Sequence, residues 1–227
     1  MSSEDDFCNE EAMKVYMQLM HELYLRLDNV WRCINGNIKL STPFAYEYSF
    51  LQFRYMCELI ALGCLHLHGD TPVAKTRNAK KEWNATKIMN MLNRYYPHSF
   101  PQSVDRKGDE KNVTFYTKPN ALTHEEFKSL YARCGDILHR GKIRTINPSQ
   151  YFGSEDLTEI VKWNSKFIDL MGEHLVSRAD GNGFFFVSLR TSSGYPECSM
   201  FVPNEAGGFD VSTRKMKLDI KFTIPKG

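Results

Sequence analysis

The sequence lacks both a strong excess of charge and a long apolar run. Its 29 lysines and arginines nearly balance 27 aspartates and glutamates, which leaves a formal net charge of +2 at pH 7. Bulk charge therefore gives no reason to expect nucleic acid or a membrane surface as the partner. The longest apolar run, residues 59–67, contains His66 and is far shorter than the ~20 residues that a bilayer requires. We expect a protein that does not enter a membrane.

Closely spaced cysteines are missing as well. The six cysteines lie at positions 8, 33, 57, 64, 134 and 198, and none belongs to a CxxC pair. Zinc sites need thiolates and imidazoles clustered at short spacings, and disulfide frameworks belong to oxidising compartments. The acidic stretch over residues 1–14 also lacks the basic and apolar regions of a secretory signal. We therefore expect a cytoplasmic protein with reduced core cysteines, no metal and no cofactor.

What the chain does have is helical periodicity. Its contents of 42% apolar and 13% aromatic residues are typical of a folded globular protein. Apolar residues recur at helical spacing in five segments, and the second is apolar almost all round, so we expect it to be the central helix. The predicted helices span about residues 9–34, 41–68, 82–95, 123–140 and 154–176.

The pattern changes near residue 180. Three short β-rich runs, GFFFVSLR, ECSMFVP and KLDIKFTIP, are separated by turn residues, which is typical of a meander. A proline-rich excursion over residues 97–120 carries one further short strand near residues 113–116. We predict a mainly α fold: a helical bundle domain over residues 1–179 and a small C-terminal antiparallel β-appendage over residues 180–227.

The fourth predicted helix carries the densest group of ionisable side chains. Thr123 and Glu126 form a capping-box pattern at its start, and Gly141 is suited to a left-handed stop at its end. Apolar residues occupy one face, and a small charged cluster lies off that face near the C-terminal end. The members of this cluster are Arg133, Asp136, His139 and Arg140.

The central helix also carries charge, with Arg54 and Glu58 four residues apart. Charges on such a helix are costly unless they pair or face a water-filled cleft. Two alternatives follow: an Arg54–Glu58 ion pair that fixes helix packing, or a polar stripe that lines the same cleft as the 133–140 cluster. The HxHxD pattern at residues 66–70 does not predict a metal site, because alternate helical residues point about 200° apart.

The spacing Arg133-x5-His139 near a helix end, with Arg54-x3-Glu58 on an earlier helix, resembles the HEPN superfamily of helical domains, whose signature is Arg-x4–6-His. The segments LQFRYMCELIALG, KEWNATKIMNMLNRYYPHSFPQ and LYARCGDILHRG are similar to uncharacterised bacterial and phage proteins of that general type. The resemblance implies a dimer in which the motif arginine and histidine cleave RNA without a metal. It also implies a role in phage–host defence.

Two hypotheses from different classes follow. In the first, a dimer binds or cleaves RNA: His139 is the general acid and base, Arg133 or Arg140 stabilises charge on the phosphorus centre, and Arg54, Glu58 and Asp136 orient these groups. In the second, a non-enzymatic dimer binds a protein partner through its helical domain and β-tail, and a buried His139 bonded to Asp136 or Glu58 is a structural lock. Exposure of Arg133 and His139 distinguishes the two.

Overall fold

The computed structural model describes residues 3–69, 71–72, 74–108, 112–139, 154–189 and 196–215. Over these residues the backbone forms six helices. All five predicted helices are present. The sixth is an additional short helix, third in chain order, which Thr76 caps: its hydroxyl accepts from the Ala79 amide. The helices are α1 (Ser3–Ile34), α2 (Thr42–Leu67), α3 (Arg77–Lys81), α4 (Ala85–Tyr95), α5 (His124–Leu138) and α6 (Ser154–Gly172).

The described residues also form six strands in one antiparallel sheet, with the order β2-β1-β3-β4-β5-β6. The short strand expected near residues 113–116 is confirmed as β2. The predicted strand in KLDIKFTIP lies outside the described residues, and β6 comes from a segment without a strong strand pattern. The strands are β1 (Gln102–Gly108), β2 (Val113–Thr117), β3 (Glu173–Ser177), β4 (Phe184–Ser188), β5 (Glu197–Pro203) and β6 (Phe209–Lys215).

Helix α2 is the central helix, as its all-round apolar pattern predicts. It packs against α1, α4, α5 and α6, and large side chains such as Phe50, Phe53 and Ile60 are fully buried. Gly63 lets α1 approach closely, because a Cβ atom there would lie 2.9 Å from the Tyr16 ring. The described cysteines at 33, 57, 64, 134 and 198 are free and buried, which confirms their prediction as core residues.

The β-layer is larger than the predicted appendage, and it shares the helical core. Phe185, Val187, Cys198 and Met200 belong to the same buried cluster as the helices. The helix predicted to end at residue 176 ends at Gly172, because the next five residues pair with β4 and alternate in burial with a period of two. The predicted domain boundary at residue 179/180 falls in the turn between β3 and β4. A mainly α fold with an antiparallel sheet is present, and its HEPN-like character stays a prediction.

The β1–β2 hairpin folds across the outer face of the sheet. Two β1 residues, Gln102 and Ser103, pair with β3, and the rest of β1 pairs with β2. In a flat sheet β2 would lie about 14 Å from β4, at about 4.8 Å per strand. The Phe115 ring of β2 nevertheless lies 5.1 Å from the Phe186 ring of β4, centroid to centroid. The hairpin therefore bends over the sheet and covers aromatic side chains on the face away from the helices.

Candidate functional site

The structure confirms the capping box at the start of α5. The Thr123 hydroxyl accepts from the Glu126 amide at 3.2 Å, and the Glu126 carboxylate accepts from the Thr123 amide at 3.1 Å. The helix ends at Leu138, two residues before the predicted end. His139 is the C-cap residue in an extended conformation (φ −94°, ψ 103°). Arg140 and the expected stop at Gly141 lie outside the described residues.

Arg133 joins three helices through one polar network. Its Nη2 atom donates to the Tyr46 hydroxyl of α2 at 3.2 Å and to Oε2 of Glu159 on α6 at 3.4 Å. The Tyr46 hydroxyl donates to the same carboxylate oxygen at 2.8 Å. The Trp163 indole donates to the other oxygen at 3.4 Å. The network fixes the direction of the Arg133 side chain, which remains 49% exposed.

The protonation states in this network follow from burial and charge. Burial opposes ionisation of Glu159, but hydrogen bonds from Tyr46 and Arg133 outweigh it and hold the pKa of the carboxyl below its usual range. Burial and the adjacent Glu159 carboxylate both raise the pKa of Tyr46. At neutral pH the network therefore contains a neutral phenol between a carboxylate and a guanidinium.

Arg54 and Glu58 form the ion pair that one of the two alternatives predicts. The Arg54 Nε atom lies 3.2 Å from Glu58 Oε1, and the two side chains are 21% and 22% exposed. Tyr131 of α5 donates to the same oxygen at 3.0 Å, and its ring lies 5.4 Å from the Arg54 guanidinium. Burial and the Glu58 charge raise the pKa of Tyr131 to about 12. This pair therefore ties α2 to α5, and its contacts go to Tyr131 rather than to Arg133 or His139.

Cys134 lies between these two networks on the buried face of α5. Burial raises the pKa of its thiol to about 12: Arg54 opposes the rise, and the carboxylates Glu159 and Glu58 add to it. A thiol with so high a pKa is a poor nucleophile near neutral pH. Cys134 is therefore a packing residue, and the chemistry available at this end of α5 belongs to arginine and histidine side chains.

His139 and Asp136 are both exposed. Within the described residues the His139 ring makes no hydrogen bond, and the Glu58 carboxylate accepts from Arg54 and Tyr131. The buried His139 that the second hypothesis expects, bonded to Asp136 or Glu58, is therefore absent, because the residue is exposed. Arg133 and His139 lie near the same end of one helix, but no hydrogen-bond network joins the two side chains.

Sequence reasoning missed Tyr46, Tyr131, Glu159 and Trp163. Two signals were available. A tyrosine on a helix that is buried on most sides needs a partner for its hydroxyl. A carboxylate four residues before a tryptophan, as at Glu159 and Trp163, points to a shared polar contact within an otherwise apolar helix face.

The two histidines of the HxHxD pattern do not converge. His66 is exposed, and His68 is buried with its Nδ1 atom 2.7 Å from the Cys64 carbonyl oxygen. Asp70 lies outside the described residues. Across the described part of the chain, no three His, Cys, Asp or Glu residues cluster in a way that suits a metal ion. In that same part, no helix combines the length and apolarity needed to cross a membrane.

Comparison with known proteins adds no relative. No protein-family model matches the chain. No curated protein and no solved structure matches it either. The geometry of the Arg133 network and the exposed His139 is therefore the basis on which a function for this chain is proposed.

Proposed function

We propose that this chain is a cytoplasmic, HEPN-like RNA-binding protein that cleaves RNA without a metal, as a homodimer, in phage–host defence. Arg133 and His139 are the active residues of the proposal, and Arg140 is a further candidate for binding phosphate. Tyr46 and Glu159 are positioning residues that act through Arg133. Arg54, Glu58 and Asp136 support the same helix end.

The observation that carries the proposal is the exposure of Arg133 and His139 at one end of α5. Both hydrogen bonds of Arg133, to Tyr46 and to Glu159, use Nη2, and its side chain is 49% exposed, so the other guanidinium N–H groups can donate to a phosphate. His139 is exposed at the helix end, where an imidazole can reach a substrate. A fixed cation and an accessible imidazole near the same helix end suit transfer of a phosphoryl group.

The proposed reaction uses the 2′-hydroxyl of RNA as its nucleophile. A neutral His139 takes the 2′-hydroxyl proton, and the oxygen attacks the adjacent phosphorus. The bond from phosphorus to the 5′-oxygen breaks, and the partner subunit's His139, as imidazolium, gives a proton to that oxygen. One proton is taken and one is given. The products are a 2′,3′-cyclic phosphate and a 5′-hydroxyl, and Arg133 neutralises charge on the non-bridging oxygens.

A cleavage assay in EDTA tests the proposal. Wild type should cut a labelled single-stranded RNA to products with 2′,3′-cyclic phosphate ends and leave the 2′-deoxy analogue intact. His139→Ala should abolish cutting without a change in melting temperature, because the ring is exposed. His66→Ala, at an exposed histidine on α2, is the matched control and should cut like wild type. Intact RNA with wild type, or equal cutting by His139→Ala, contradicts the proposal.

A non-enzymatic interaction protein is the second candidate, and exposed apolar side chains on α6 favour it. Leu157 and Val161 lie one helical turn apart and are both exposed. A dimer or another protein partner would bury them. Analytical ultracentrifugation of wild type and of a Leu157→Glu, Val161→Glu double variant tests this surface. An assembly that this variant dissociates, together with no cutting of RNA by wild type, would favour the second candidate over the first.

A further inference from the structure

A small cavity opens at the surface between α1, α6 and the end of β4. Its volume is about 250 Å³. The floor is apolar and is formed by the buried side chains of Leu27, Met171 and Leu189. The rim is formed by one face of α1 and includes Tyr24, Asp28 and Trp31. This cavity shares no residue with the Arg133 network.

The two aromatic side chains of the rim are about half exposed, although they lie above an apolar floor. Trp31 is 52% exposed and Tyr24 is 47% exposed. The spacings of four and three residues place Tyr24, Asp28 and Trp31 on one stripe of α1. Within the described part of the chain, neither ring stacks on another ring or lies beneath a cation. Both residues line the cavity, and their rings therefore remain available to a ligand there.

Asp28 gives the cavity its charge. The nearest cation within the described residues is Arg32 on the same helix, whose Nη1 lies 4.0 Å from Asp28 Oδ2, and both side chains are about half exposed. A long, solvent-exposed contact of this kind holds a carboxylate weakly. The carboxylate therefore remains able to bind a cation that enters between the two rings.

We propose that this cavity binds a small organic cation, an alkylated ammonium. The charge lies against Asp28 and between the faces of Tyr24 and Trp31, where the ring quadrupoles attract a cation. The hydrocarbon part lies on the apolar floor. A neutral apolar ligand fits less well, because it desolvates the carboxylate without replacing its partners. The volume lies just below the range of about 300–1,000 Å³ for small-molecule sites, so the ligand is of choline size.

Isothermal titration calorimetry on the full chain tests the charge requirement. Choline is compared with 3,3-dimethylbutan-1-ol, in which a carbon atom replaces the ammonium nitrogen. Choline should bind at one site, and the neutral isostere should bind about tenfold more weakly or worse. Asp28→Asn should lower the affinity for choline by about the same factor and should leave the isostere's affinity equal or higher, because the isostere then no longer desolvates a carboxylate. Equal binding of the two compounds, or no heat with choline, overturns the proposal.

Two further variants test the role of the aromatic rim and control for the loss of a negative charge elsewhere on α1. Trp31→Leu keeps an apolar side chain but removes the ring, so it should weaken choline more than the isostere. Glu11→Gln removes the same charge from an exposed position on α1 and should bind choline like wild type. All variants should keep the wild-type melting temperature, since the altered side chains are exposed. A Trp31→Leu variant that binds choline normally overturns the aromatic part of the proposal.

The same cation chemistry has two sources, a free small molecule and the methylated lysine of a protein. A short peptide that carries trimethyl-lysine distinguishes them in the same calorimeter. Tighter binding of the peptide than of choline assigns the cavity to a protein side chain. Weaker binding of the peptide assigns it to a free small cation. Binding of neither contradicts the proposal, and none of these outcomes depends on RNA cleavage.

Discussion

The buried pair of Tyr16 and His174 should make this protein sensitive to mild acid. His174 is fully buried on β3, and its Nε2 atom lies 2.7 Å from the Tyr16 hydroxyl oxygen. Burial raises the pKa of Tyr16 above its usual range, so the phenol keeps its proton at neutral pH. Burial also lowers the pKa of His174 to about 3. At mildly acidic pH, His174 is therefore neutral in the folded protein but protonated in the unfolded chain.

The size of the effect follows from the difference in pKa. The histidine has a pKa of about 6.5 in the unfolded chain, so below that pH the unfolded state binds a proton that the folded state does not bind. The free energy of unfolding then falls by about 1.4 kcal/mol per pH unit. Above pH 6.5, His174 makes its full contribution to the free energy of unfolding. About 3 kcal/mol of it is lost by pH 4.5, and the loss stops near the folded pKa of about 3.

Urea unfolding followed by circular dichroism, repeated from pH 7.5 to 4.5, measures this loss. In His174→Gln the buried group does not titrate, so the stability difference between wild type and variant should shrink by about 3 kcal/mol over this range. His66→Gln, at an exposed histidine on α2, should keep the wild-type pH dependence. Parallel curves for wild type and His174→Gln would refute the reasoning. If the variant does not fold, NMR of the wild-type His174 ring should show it neutral at pH 4.5.

Three further predictions concern packing and pairing. Tyr46→Phe removes the phenol hydroxyl from the Arg133 network and should lower thermal stability by about 1 kcal/mol, whereas Tyr95→Phe, at an exposed ring, should have no effect. Gly63→Ala should cost about 1–3 kcal/mol in urea unfolding, because its Cβ meets a tyrosine ring of α1, whereas Gly135→Ala has open space and should be neutral or stabilising. Arg54→Ala should lower the free energy of unfolding by about 1–2 kcal/mol in the same assay, because its ion pair is only partly exposed. This cost lies between those of breaking an exposed and a fully buried ion pair. A loss below about 0.5 kcal/mol would mean that the pair contributes nothing to stability.

Features encoded by neighbouring residues were predictable from the sequence. The capping box of α5 needs only Thr123 and Glu126, and the Arg54–Glu58 pair needs one helical turn. The buried face of α5 follows from its periodicity alone. The end of α6 was not predictable in the same way, since an apolar alternation over five residues also fits the last turn of a helix. Only the pairing of residues 173–177 with β4 shows that this segment is a strand.

Features that join distant segments left no local signal. Tyr46 and Glu159 are 113 positions apart, and Arg133 and Glu159 are 26 positions apart. The residues near Arg133 in the sequence therefore do not indicate which side chains it binds. The same holds for β1, whose first residues pair with β3, although β2, α5 and α6 lie between the two strands in the sequence. The candidate site was therefore predicted as a group of side chains on one helix, and its anchoring contacts became visible only in three dimensions.

The strand β4 has a consequence for synthesis of the chain. It carries three consecutive phenylalanines, Phe184 to Phe186, a run that is prone to aggregation whenever it is exposed. In the folded protein Phe185 lies against the helical core, and Phe186 lies beneath the β1–β2 hairpin. Both covering elements precede β4 in the chain, so they leave the ribosome first. The order of elements thus shortens the time for which the most aggregation-prone segment is unprotected, and it suits folding during translation.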